Sequence, residues 1–90
     1  MERLETARQW IYDGKTDEAI ALLDALLREN PGTAEAFYLR GNAYRKKSDW
    51  QQALNNYLAA MELDPEGPAK QAHDMLMKIL DFYNKDMYNH

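Results

Sequence analysis

Apolar residues recur along this chain at steps of three and four, the spacing of one face of an α-helix. Leu4, Ala7, Trp10 and Ile11 make the first such stripe, over about Glu2 to Tyr12, and Asp13-Gly14 ends it. Glycine accepts the left-handed conformation that closes a helix. Ala19, Ile20, Leu23, Leu26 and Leu27 form a second, wider face behind Thr16 or Asp17 as cap. Asn30-Pro31-Gly32 stops it, because proline disfavours helical geometry in the residue before it. A third helix, capped by Thr33, carries Phe37, Gly41 and Tyr44 on its inner side. Ser48-Asp49-Trp50-Gln51 reads as a capping box for a fourth, in which the serine oxygen and the glutamine side chain satisfy reciprocal backbone amides. Its apolar set is Trp50, Ala53, Leu54, Tyr57, Ala60, Met61 and Leu63, and Asp64-Pro65 closes it. A turn at Glu66-Gly67 leads through Pro68 into a fifth helix, from about Ala69 to Tyr83. No stretch alternates apolar and polar residues as a strand would.

Every connection is short, so neighbouring helices are expected to run antiparallel. The pattern also repeats. Pro31 and Pro65 lie 34 residues apart, and the same offset pairs Ala7 with Gly41, Trp10 with Tyr44, Ala19 with Ala53 and Ile20 with Leu54. A period of this length marks a stacked helical-pair repeat, which buries one face of each pair against the next and leaves a grooved surface. The expected fold is all-α: five helices in an antiparallel helix-pair stack.

Composition narrows the function. Ninety residues make one small domain, and 46% apolar residues suffice for a core. A net charge of −4 argues against nucleic acid or an anionic membrane as partner, since both need a cationic surface. The charged start Met1-Glu2-Arg3-Leu4-Glu5 lacks the apolar stretch of a signal peptide, and a cytoplasmic location is expected. There is no cysteine, Ser48 is the only serine and is better used as a cap, and no phosphate-binding glycine loop occurs. His73 with Met77, and His90, offer no converging set of metal ligands. The expectation is a non-enzyme without metal or cofactor.

The stretch Ala34-Glu35-Ala36-Phe37-Tyr38-Leu39-Arg40-Gly41-Asn42-Ala43-Tyr44, followed by Ala53, Tyr57, Ala60 and Asp64-Pro65, resembles a tetratricopeptide repeat. Arg40 departs from that pattern, which more often has leucine; its stem is expected to cover apolar surface while its charge reaches water. Residues 1–31 resemble the repeat more loosely, through Ala7, Trp10, Gly14, Ala19, Leu23 and Pro31. The resemblance implies a right-handed stack in a single domain over 1–90: one repeat at about 1–31, a second at about 34–65, and a capping helix with a tail at about 68–90. Continued at the same period, the fifth helix would bury Asp74 and Lys78. A one-residue insertion around Glu66-Gly67-Pro68 instead turns Ala72, Met75, Leu76 and Ile79 inward.

The resemblance further implies a scaffold or adaptor that binds a peptide or partner helix along a concave groove. Leu4, Glu5, Arg8, Ile11 and Tyr12 would line it from the first helix. Glu35, Tyr38, Leu39, Asn42, Arg45 and Lys46 would line it from the third, and His73, Met77 and Leu80 from the last. Asn42 is the leading residue, because an amide can both donate to and accept from a partner backbone. Arg45 and Lys46 read either as an acidic-ligand patch or as cations at a helix C-terminus. Some family members clamp the C-terminal carboxylate of heat-shock chaperones with lysine, asparagine and arginine across three helices. The corresponding places here hold Leu4, Arg8 and Leu39, then Lys70 and Asp74 or Ala69 and His73, so that adaptor role is not expected. Leu80, Phe82, Tyr83, Met87 and Tyr88 exceed what one capping helix needs. Either the tail folds back over the second repeat, or it is a sticky surface that makes the chain a homodimer.

Overall fold

A computed structural model describes residues 2–83. Within them the chain forms five helices: α1 (Glu2–Tyr12), α2 (Thr16–Glu29), α3 (Ala34–Lys46), α4 (Trp50–Leu63) and α5 (Ala69–Tyr83). Each helix packs on the next, and α1 also touches α3, so α1 and α3 lie side by side in one layer. The expected tail contacts of Met87 and Tyr88, and His90, lie outside the described residues.

Two apolar clusters hold the stack. Leu4 and Ala7 of α1, Leu23, Leu26 and Leu27 of α2, and Ala36 and Leu39 of α3 form the first. Ala53, Tyr57 and Ala60 of α4 with Ala69 and Leu76 of α5 form the second, and half-buried Phe37 and Tyr38 join both. Each fully buried leucine contributes about 1.5–3 kcal/mol by leaving water.

The 34-residue period extends to the way helices end. After α1, Gly14 N–H donates to the Ile11 carbonyl at 3.1 Å and Lys15 N–H to the Trp10 carbonyl at 2.7 Å. After α3, Ser48 N–H donates to Arg45 and Asp49 N–H to Tyr44, both at 2.9 Å. Both are Schellman motifs, which need a left-handed residue just past the helix. Gly14 takes it at φ 85° and Ser48, one period on, at φ 64°. This corrects the expected capping box. With Ser48 committed to the turn, α4 starts one residue later and Asp49 Oδ1 accepts the Gln52 N–H at 3.2 Å. Neither expected cap upstream uses its side chain as foreseen. Lys15 holds the cap position of α2 without a side-chain bond, and the Thr33 hydroxyl donates back to the Asn30 carbonyl at 2.9 Å.

Three further expectations need correcting. Trp50 and Leu63 are exposed rather than inward. The Arg40 charge does not reach for water. Its Nε donates to Asn56 Oδ1 and its Nη1 to Asp24 Oδ1, each at 2.7 Å, with the guanidinium 5.3 Å from the Phe37 ring centroid. Asp24 of α2 and Asn56 of α4 supply the acceptors that draw it into the seam. Finally, α5 is rotated from its expected phase. Ala69 and Leu76 are buried, Ala72, His73 and Leu80 are half-buried, and Met75 and Ile79 stand exposed. The small Ala69 lets α5 approach Ala60 and Tyr57 closely, which fixes that phase. Among the described residues no sixth helix follows to cover Met75 and Ile79.

Candidate functional site

The layer containing α1 and α3 carries a depression of about 310 Å³ between the two helices. Arg8, Ile11 and Tyr12 line it from α1; Tyr38, Leu39, Asn42 and Lys46 line it from α3. These side chains recur at three- and four-residue steps, so one face of each helix presents them together. A second depression, about 330 Å³, continues toward α5 between Tyr38 and Arg45 on one side and Pro68, Gln71, Ala72 and Met75 on the other. Tyr38 forms the ridge shared by both.

Several of these groups are already engaged within the chain. Arg8 Nη2 donates to Glu35 Oε2 at 2.5 Å, tying α1 to α3. Lys46 Nζ donates to the carbonyls of Ile11 at 2.6 Å and Tyr12 at 3.1 Å, at the end of α1, where the Ile11 oxygen also accepts from Gly14. Leu4 is in the core, and Leu39 exposes only 2% of its surface at the floor of the depression. Tyr12, by contrast, is 80% exposed. On α5 the structure brings Gln71, Ala72 and Met75 to this face. His73 is half-buried beside Asp74, with Nδ1 3.2 Å from its Oδ1, and Met77 lines neither depression.

The centre of the face is a hydrogen-bonded pair, Tyr57 and Asn42, with Arg45 nearby. Tyr57 of α4 is fully buried, and its hydroxyl donates to Asn42 Oδ1 at 2.5 Å. Burial pushes the Tyr57 phenol up from its ordinary value, while the neighbouring Arg45 guanidinium favours its charged form and pulls the other way. The single phenol proton goes to the Asn42 oxygen, which can only accept. The amide is thereby turned with its acceptor inward. Its NH2 has no partner among the described residues, and no buried side-chain nitrogen or oxygen there lacks one, so this group reaches solvent. Arg45 has no carboxylate within 4.0 Å among the described residues. The face thus shows donors, not acceptors, at its middle. Sequence reasoning found Asn42, but its orientation depends on Tyr57, fifteen residues away and on another helix.

A family profile of the tetratricopeptide repeat matches residues 3–68. The chain belongs to the tetratricopeptide-repeat family. A Bacteroides fragilis protein, BF1650, solved by solution NMR, is 53% identical and superposes with a TM-score of 0.89 over 99% of this chain and 91% of its own. Among curated proteins, the Protein SGT1 homolog of Dictyostelium discoideum is 31% identical over 64 residues, which are 71% of this chain and 16% of that protein. Cellulose synthase operon protein C of Escherichia coli K12 is 32% identical over 69 residues, 77% of this chain and 6% of that protein. The chain therefore spans a small part of these curated relatives. As a tetratricopeptide-repeat domain it belongs to a class of protein-interaction scaffolds. Among the described residues no helix is long and apolar enough to cross a membrane. None of those residues form a group of three or more His, Cys, Asp or Glu able to hold a metal ion.

Proposed function

We propose that this domain binds a segment of a partner protein along the concave face of α1, α3 and α5, and that the segment is held by its acceptor groups. What carries this reading is the Tyr57–Asn42 hydrogen bond, which leaves the Asn42 NH2 as a donor facing the groove. A backbone carbonyl suits that group, and a carboxylate one turn away suits Arg45, since a charged pair needs no partner donor of its own. Tyr38, Ile11 and Met75 supply apolar contact on either side. Because the donors are fixed before binding, the partner alone loses conformational freedom.

The test is selection of peptides from a random displayed library, then calorimetric titration of the strongest binder. Asn42→Ala and Arg45→Ala variants of matched thermal stability are titrated alongside wild type. Removing a hydrogen bond to a charged group costs about 1.5–3 kcal/mol, so Arg45→Ala weakens binding at least tenfold, and peptides rich in Asp or Glu dominate the selection. A binder whose affinity survives both substitutions places the site elsewhere.

A further inference from the structure

Beyond the groove, whose edge it shares at Met75, the outer face of α5 is a second prominent surface. On α5, Met75, Ile79 and Phe82 are 49%, 37% and 75% exposed. They fall at i, i+4 and i+7 and so form one stripe. Beside it Lys70, Asp74, Lys78 and Asp81 form a row of alternating sign, with Lys70 Nζ 2.8 Å from Asp74 Oδ2. A trough of about 520 Å³ runs along this side of the helix, between the Pro65-Glu66-Gly67 turn and Lys70, Asp74, Met75 and Lys78.

We infer that this face pairs with the same face of a second copy, α5 against α5 and antiparallel, about a two-fold axis at the level of Leu76. The charge row selects both partner and direction. A two-fold axis brings the same flank of each helix together. Asp74 of one copy then meets Lys78 of the other, twice, and Lys70 meets Asp81, twice. Parallel pairing about a two-fold axis joins opposite flanks instead, so the charge row would face the partner's apolar stripe and lose its complement. The apolar stripe lies alongside, so Met75, Ile79 and Phe82 of the two helices cover one another. A second copy also supplies what two repeats lack, since such stacks usually need about three to bury a continuous core. One helical face is smaller than the roughly 800 Å² per partner of a standard interface, so the dimer is weak and concentration-dependent.

Sedimentation equilibrium on the full chain tests this independently of the groove. The weight-average mass is expected to rise from the 10.5 kDa monomer toward twice that between about 10 μM and 1 mM. Asp74→Lys and Lys78→Asp, made separately, each place four like charges across the axis and keep the chain monomeric over that range. Mixed in equal amounts, the two variants associate again, because two cations at positions 74 and 78 of one copy now face two anions at the same positions of the other. Asp74 and Lys78 are surface positions, and circular dichroism checks that both variants fold. Should either fail to, Met75→Glu at a half-exposed site abolishes the dimer by itself. A wild-type monomer at 1 mM overturns the inference. So does a dimer indifferent to these substitutions, or a mixture that fails to associate. Asn42→Ala leaves the mass curve unchanged, and Asp74→Lys leaves peptide binding unchanged, so the two proposals fail separately.

Discussion

Gly41→Ala adds one methyl group at the place where α3 and α4 come closest. A Cβ there lies 2.7 Å from both Cδ1 and Cε1 of Tyr57 and 3.3 Å from the Ala53 carbonyl oxygen. Carbon atoms prefer about 3.5–4.0 Å, so the ring must retreat by roughly 1 Å or the helices must part. Tyr57 has little room to retreat. It is fully buried, its ring centroid lies 6.1 Å from that of Tyr38, and its hydroxyl is held by Asn42. Overpacking of this kind costs about 1–3 kcal/mol. Alanine recovers about 0.8–1 kcal/mol over glycine through helix propensity. The net expectation is a loss of about 1 kcal/mol, and at most about 2, or a fall in Tm of roughly 4–8 °C per kcal/mol for a domain of this size. Thermal melts followed by circular dichroism at 222 nm measure it. In a Tyr57→Leu background the ring atoms are gone, and the same Gly41→Ala change is expected to be neutral or to stabilise by up to about 1 kcal/mol. That reversal of sign is the diagnostic. If Gly41→Ala melts at or above wild type with Tyr57 in place, close approach is not why glycine stands there.

The other expectations concern Ser48 and Tyr57. Ser48 occupies the left-handed position that Gly14 holds in the first repeat. A side chain there costs about 1–2 kcal/mol, against about 0.5–1 kcal/mol of extra chain freedom lost by glycine. Ser48→Gly should therefore raise the urea midpoint, by about 0.5–1 kcal/mol in stability, and an unchanged or lower midpoint counts against strain at this turn. Tyr57→Phe removes the hydrogen bond to Asn42 and should cost about 0.5–1.5 kcal/mol at neutral pH. It should also change the alkaline limb of the stability profile. Burial raises the folded phenol above its ordinary value near 10, so its contribution is complete below that value and fades as pH climbs through the raised one. Wild type should lose stability there faster than the phenylalanine variant; parallel curves above pH 10 would show that the phenol is not perturbed.

How far the sequence carried depends on whether a feature was local or periodic. Helices α1 to α4 were legible because their stripes, breakers and 34-residue period agree. Ala19, Leu23, Ala53 and Tyr57 are buried where the pattern expected them. Period also contained a signal that local reasoning overrode. Gly14 and Ser48 are one repeat apart, and reading them as equivalents makes Ser48 a helix terminator and passes the cap to Asp49. Arg40 could not be placed from its own segment, because Asp24 and Asn56, which draw its charge inward, come from helices on either side of α3. The same holds for Asn42, whose side-chain orientation is set from α4.

The phase of α5 failed for a different reason. Nothing in the turn around Glu66-Gly67-Pro68 fixes helical phase, and a shift of one residue moves every side chain by about 100°. Packing decided it instead: Ala69 and Leu76 fit against Ala60 and Tyr57, and the rest followed. The consequence reaches function. His73, expected in the groove, is half-buried beside Asp74 and lines neither depression. Met75, expected in the core, stands between the groove and the outer face of α5. A helix that ends an array normally turns a polar side outward, and Lys70, Asp74, Lys78 and Asp81 supply one. The apolar stripe beside that row is what a capping helix does not require. Its position next to self-complementary charge is therefore better explained by a partner of the same sequence than by solvent.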